Sequence, residues 1–509
     1  MTWSSHNETF GADGTRERLG APLSPDSLGV LVVPSLRPIE TSLRELARQP
    51  NANVTLGPLR TDFRARLARS AFVFDLGLTS RIQLTGRLPY EHTISEVVVD
   101  ANPRNLEAHA ANIGPNPALV AASAAARQNQ RVVDSLMRAA QDLSNRLQAC
   151  TTNPGDAVCN DRARVEALVR EARTFAAGLA RTYGIGVDSA AGSAYVPTRG
   201  STFQSAIEDR VESLNASFKT YIPQLSLWET PFAAQVPVTT AQTRELLEQD
   251  LEIVPLGVVE RSHIGDVEVG AKVMLLDTYG SPARARSSTS GGLRVAVGGL
   301  VRFGTAQLER PEDLVDVGTG DGQMDIEVNG VADVILTRRF WASGVARYGV
   351  QLEDEQRMRI PDVPRNPFVP AFREQQVGRD LGDYIEIVAT PRYVYNDYLS
   401  LSAQWTYRRK AEDTYTGTFT VEDADGEPVA LDASVLGIDT ELTQQSIGGG
   451  LSISTLRAYD RGRARLPLEI NFLHTQTLSG SGYAPRRFAS SLQVRYYMRL
   501  FGAPLRPRQ

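Results

Sequence analysis

The chain has 509 residues, 42% of them hydrophobic, with 54 Lys plus Arg against 59 Asp plus Glu and a net charge of −5. This balance supports a buried core and excludes global disorder and a nucleic-acid partner engaged through a basic surface. Only Lys219, Lys272 and Lys410 are lysines, so the positive charge is nearly all arginine, and no apolar run reaches the ~18 residues of a membrane-spanning helix.

Residues 1–98 read as the first barrel strands, interrupted by a long loop at 11–57. A short alternation at 2–10 is followed by period-two segments at 62–75 and 81–90, joined by a tight turn at 77–80. Residues 1–24 lack the basic start and apolar stretch of a secretory signal. Because the first strand starts at the initiating methionine, the expectation is a start codon assigned too late and a signal peptide encoded upstream.

Residues 99–262 change character and predict a mainly helical insert. A helix from Pro117 towards Cys150 carries Val133, Leu136, Ala140, Leu143 and Leu147 on one stripe. A second, over 161–183, carries Val165, Leu168, Ala172, Phe175 and Leu179, giving an αα-hairpin at about 117–183. Weaker helical stretches fall at 203–218 and 240–250, and a short one at 39–48. Cys150 and Cys159 sit at the inner ends of the hairpin, outside any CxxC motif and without a nearby His. A short disulfide formed in an oxidising compartment fits them better than a zinc site. The insert is too long for an ordinary loop. It caps the outer mouth, fills the lumen as a plug, or projects outward.

Alternation returns over 263–502. At 266–275, Val267, Val269, Ala271, Val273 and Leu275 share one face and Asp266, Glu268, Lys272 and Met274 the other. Similar segments follow at 293–303, 325–335, 341–352, 384–395, 399–408, 446–455, 466–475 and 492–500, leaving 503–509 as a C-terminal tail. Long and short connections alternate. The predicted fold is all-β with a helical insert: an up-and-down antiparallel transmembrane β-barrel of about twelve strands, closed because lipid cannot satisfy a free sheet edge. Phe340, Trp341, Tyr393, Tyr395, Tyr398 and Phe501 cluster at strand ends, as expected of interfacial aromatics.

The motifs that suggest chemistry are weak. Residues 314–322, LVDVGTGDG, resemble the glycine loop of S-adenosylmethionine-dependent methyltransferases. A strand follows them, though, where that site needs a helix, so a glycine turn is expected. Outer-membrane hydrolases need His beside a nucleophile. His263 and His474 lie near strand ends, but no motif surrounds them or His6, His92 and His109. The acidic run 423–427 lacks EF-hand spacing and reads as a solvated hairpin tip. No catalytic residue, metal or cofactor is expected.

The polar strand faces nominate pore-lining residues: Arg64, Arg66, Arg87, Asp266, Glu268, Lys272, Arg294, Asp325, Glu327, Arg347, Glu386, Arg392, Arg408, Glu469 and Arg495. These charges either line an open, field-bearing pore or pair into a network that fills a closed lumen.

The strand His263-Ile264-Gly265-Asp266-Val267-Glu268-Val269-Gly270-Ala271-Lys272, echoed by Asp325-Ile326-Glu327-Val328-Asn329-Gly330, resembles strands of outer-membrane proteins of the phenol meta-degradation transporter type. The turn and strand at 76–84, leading to Leu88-Pro89-Tyr90, also fit that family. The resemblance covers the barrel strands, while the helical insert and its cysteines depart from it. It implies a transport-related role with no catalytic residues. The combined expectation is a bacterial outer-membrane channel or passive transporter for an unidentified small solute, gated by the insert. Its partners would be outer-membrane lipid and the barrel assembly machinery. The alternative is a sealed barrel that anchors a surface-exposed helical interaction module.

Overall fold

A computed structural model describes residues 1–103, 110–186, 192–279, 291–423 and 426–498. The chain forms two compact units. One comprises Met1–Leu23, Thr61–Val98 and 252 onward; the other comprises Ser24–Arg60 and Val99–Leu251.

The first unit is a closed antiparallel barrel. Its strands are β1 (Thr2–His6), β2 (Leu59–Gly77), β3 (Ile82–Ala101), β4 (Val258–Ile264), β5 (Val267–Asp277), β6 (Gly292–Phe303), β7 (Asp325–Ile335), β8 (Phe340–Gln351), β9 (Tyr384–Val394), β10 (Leu399–Lys410), β11 (Leu442–Ser454), β12 (Leu468–Ser481) and β13 (Phe488–Tyr496). The sheet order is β2-β1-β13-β12-β11-β10-β9-β8-β7-β6-β5-β3-β4, and a further β2–β3 pairing closes twelve of these into a ring. The thirteenth, β4, pairs with β3 beyond the point where β5 leaves it, at Tyr90↔Ile264 against Arg87↔Glu268.

Around the ring of twelve, neighbouring strands are consecutive in sequence once β4 is set aside, so the topology is the predicted meander. The expected first strand at 2–10 is shorter, and Glu8–Phe10 instead pairs with Arg16–Arg18 as a small hairpin. The second and third strands are longer than the alternation indicated, because β3 continues past Tyr90 to pair with β4. The predicted features at Arg499, Leu500, Phe501 and 503–509, together with His109 and the hairpin tip at 424–425, lie outside the described residues.

The faces divide by polarity. Val269, Val273, Ile326, Val328, Leu401, Trp405, Phe472, Leu492 and Val494 are exposed on the outside. Their sequence neighbours turn inward: Asp325 and Glu327 are buried, and Glu268, Lys272, Arg347 and Arg408 are half-buried. A water-soluble barrel would do the opposite. Phe340, Tyr393, Tyr395 and Tyr398 are exposed at the short-loop end. Trp341 is a correction to the expected girdle. It alternates with Phe340 and pairs with Arg392, so it faces the lumen.

At the long-loop end, Asp354–Arg359, Glu374–Asp380 and Thr414–Thr416 form a three-stranded sheet. Ile360, Val377, Leu431 and Ala433 give it a small core of its own.

The second unit is helical: α1 (Arg37–Ala47), α2 (Ala124–Gln148), α3 (Ala157–Asn160), α4 (Arg162–Tyr183), α5 (Thr202–Lys219) and α6 (Thr240–Leu251). Ser123 caps α2 by accepting from Ala126 N at 3.0 Å, and α2 then packs on α4. Leu136, Ala140, Leu143, Ala172 and Phe175 are fully or nearly fully buried. The helix expected near 39–48 joins this body, with α1 packing on α4 and α5. The loop that carries α1 therefore belongs to the helical unit. Cys150 and Cys159 form a disulfide across the α2–α4 connection.

Candidate functional site

Inward-facing charges gather at two levels of the lumen. Near the long-loop end, β2, β3, β5 to β10 and residues 320–321 enclose a cavity of about 420 Å³. Its wall is a ladder of ion pairs. Glu268 on β5 pairs with Arg87 at 3.4 Å and with Arg302 at 3.3 Å. Arg302 continues to Asp325 at 2.5 Å. Arg347 pairs with Glu327 at 3.6 Å and also with Glu386. Tyr384 donates to Glu327 at 2.8 Å. Arg69 pairs with Glu91 at 2.6 Å. Antiparallel register creates this ladder by setting inward residues of adjacent strands opposite one another: Arg302↔Asp325, and Arg347↔Glu386.

The glycine-rich segment folds against this cavity. Asp266, at the break between β4 and β5, accepts from Ala306 N at 2.9 Å. Thr93 donates to Val317 O at 3.1 Å, and Arg261 pairs with Asp316 at 2.7 Å. Burial pushes the Asp316 carboxyl above its ordinary range, which the Arg261 charge opposes. A Cβ on Gly320 would collide with the Asp266 carboxylate. The predicted glycine turn is therefore a loop laid inward, close enough for Gly320 and Asp321 to line the cavity.

Near the short-loop end a second cavity of about 530 Å³ is lined by Arg294, Asp333, Trp341, Arg392, Asp397, Arg457, Glu469 and Arg495, among others. Arg294 pairs with Asp277 at 3.5 Å, and Arg457 lies 5.6 Å over the Trp341 ring.

Of the nominated residues, Arg87, Asp266, Glu268, Glu327, Arg347, Glu386 and Arg408 line the first cavity, with Asp325 joined through Arg302. Arg294, Arg392, Glu469 and Arg495 line the second. Lys272 is half-buried on the same face of β5 as Glu268 and lines neither. Arg64 and Arg66 are the corrections. Arg66 pairs with Glu96 at 2.9 Å in an outer cleft with Trp3, His92 and His474, and Arg64 is exposed two residues along. Their parity is that of Phe72 and Phe74, while Arg69, on the other parity, enters the lumen. Arg69, Glu91, Asp321 and Tyr384 were missed. The phase of Phe72 and Phe74 was the signal for Arg69. Of the histidines, His474 contacts Ser490 Oγ at 2.9 Å and His263 its neighbour's carbonyl at 2.8 Å, both on exposed positions.

Charges inside, apolar side chains outside and a ring without free edges settle the architecture. The fold is an outer-membrane-type β-barrel. No protein-family model matches the chain, and no curated protein matches it. Among solved structures it is similar to an outer-membrane channel from Pseudomonas putida F1, at 8% identity over 97% of this chain and 93% of that one, with a TM-score of 0.36. It is also similar to the CymD monoaromatic hydrocarbon channel, at 7% identity over 86% and 75%, TM-score 0.24. A third is a Pseudomonas aeruginosa FadL homologue, at 8% identity over 86% and 67%, TM-score 0.21.

Proposed function

We propose that the protein is a bacterial outer-membrane channel or passive transporter for small solutes, with its path through the lumen. The observation that carries this is the inside-out polarity: a closed barrel whose exposed wall is apolar and whose interior holds two charged cavities. The nominated lumen residues, Arg64 and Arg66 aside, are the proposed pore lining. Gating by the helical unit is part of the proposal. What supports this is that the unit has its own core and disulfide and is packed as a body separate from the barrel strands.

A second reading keeps one observation in its favour. The Arg–carboxylate ladder is the arrangement that also fills a sealed lumen, and a sealed barrel would anchor the helical unit as an interaction module.

Single-channel recording of the refolded full chain in a planar bilayer separates the two. Steady conductance is expected. A variant lacking 26–57 and 103–250 removes the helical unit without leaving α1 as an exposed remnant, and a rise in conductance there assigns the gate. Silence in both, with heat-modifiable barrel mobility intact, rejects the channel in favour of the anchor.

A further inference from the structure

The cavity near the long-loop end divides its charge unevenly. From β3 to β9, carboxylates outnumber arginines, and the arginines there are engaged in the ladder described above. The remaining arc carries Arg69 on β2 and Arg408 on β10; Arg487, immediately before β13 and on the inward parity opposite to Phe488, lies beside that arc without lining the cavity. Among the described residues, the Arg408 and Arg487 side chains have no hydrogen bond or ion pair. The cross-strand neighbour of Arg408 is Glu386, whose carboxylate is taken by Arg347. The charges facing Arg487 are Arg408 and Arg69, with Glu91 as the one acid among them. Arg69 already holds that acid, and the Nε atoms of Arg69 and Arg408 are buried without a partner. The Arg408 guanidinium lies 5.0 Å from the Tyr384 ring, which puts an aromatic surface beside the free donors.

Like charges gathered this way repel, and each guanidinium keeps donors in a fixed fork that matches a carboxylate. An anion relieves the repulsion and fills the donors. The enclosed volume of about 420 Å³ suits a small organic molecule.

Resting on the channel reading of this lumen, we propose that Arg69, Arg408 and Arg487 form a subsite for the carboxylate of a small organic anion. Tyr384, buried beside Arg408, contributes an aromatic residue to the cavity wall next to this subsite. The solute class is thus a small organic acid in preference to its neutral or cationic counterpart.

The test titrates the detergent-solubilised full chain with benzoate and with benzamidinium, a cation of similar shape, and records bilayer conductance in parallel. Benzoate is expected to bind and benzamidinium to bind more weakly. In the Arg408→Gln/Arg487→Gln variant benzoate affinity should fall by about tenfold or more, since charge-assisted hydrogen bonds are lost. Equal binding of the two probes, absence of benzoate binding, or unchanged benzoate binding in a variant with intact heat-modifiable mobility would overturn the subsite. The two-probe comparison on the native chain stands even where the variant does not fold. Conductance without benzoate binding leaves the channel and removes the subsite; benzoate binding without conductance does the reverse.

Discussion

Tyr384 donates its hydroxyl to Glu327 at 2.8 Å across the strand that separates them. The register sets Glu327 opposite Gly349, and Gly349 opposite Tyr384, so the three share one row across β7, β8 and β9. A Cβ on Gly349 would collide with the tyrosine ring. The missing side chain on β8 is what lets the ring lie flat and join the ladder.

Gly349→Val is therefore expected to displace Tyr384 and destabilise the barrel by about 1–3 kcal/mol, the usual cost of overpacking. Tyr384→Phe keeps the ring in place and should cost less. Urea unfolding of the vesicle-embedded protein, followed by tryptophan fluorescence, measures both. Equal stability of Gly349→Val and the native chain would show that the ring does not need this space.

Val328 is 59% exposed and neighbours the inward Asn329 on β7. In a water-soluble protein Val328→Arg would be close to neutral. On a lipid-facing wall it should cost about 2–4 kcal/mol near the bilayer midplane, while Asn329→Arg on the lumen face should cost much less. Folding both variants into vesicles tests the assignment of faces. Indifference of the barrel to Val328→Arg would contradict a membrane location for this wall.

The Cys150–Cys159 bond closes a connection of nine residues' separation. Loop-closure arithmetic gives it a stabilisation of about 2–3 kcal/mol. Reduction, or Cys150→Ser with Cys159→Ser, should lower the helical melting transition at 222 nm. The heat-modifiable mobility of the barrel should not change, because the bond lies within the helical unit.

The same connection carries a pH-sensitive pair. Arg146 holds Asp156 through Nε at 2.9 Å and Nη2 at 2.5 Å, and these bonds pull the carboxyl from 3.8 down to about 2. A depressed folded-state value means that the pair stabilises fully above pH 3.8 and loses its effect as pH falls through about 2. Asp156→Asn should flatten this part of the pH profile. Helical melting of the two proteins between pH 5 and 2 provides the comparison (an order-of-magnitude window from the same linkage, about three pH units).

The strand count, the meander and the polarity of the faces were legible because lipid imposes one rule on every strand: alternate residues must be apolar. Ile326 and Val328 against Asp325 and Glu327 show that rule in four consecutive residues. It fails where a strand runs on outside the apolar zone. β2 is 19 residues long, well beyond the ~9–11 that cross a bilayer. Arg64 and Arg66 therefore sit on the outward face without cost, and their alternation imitates a lumen row. Trp341 misled for a related reason. Two adjacent aromatics at a strand end cannot both face lipid, and sequence does not say which one turns inward.

What the sequence alone determined is that twelve strands close into a barrel with a disulfide-stapled helical body attached, because period-two and period-3.6 patterns are local consequences of burial. Tertiary structure alone decided which charges meet. The register sets Glu386 between Arg347 and Arg408, and Arg347 takes its carboxylate, which leaves Arg408 without an ion pair; that competition takes place between strands, where no pattern along the chain records it.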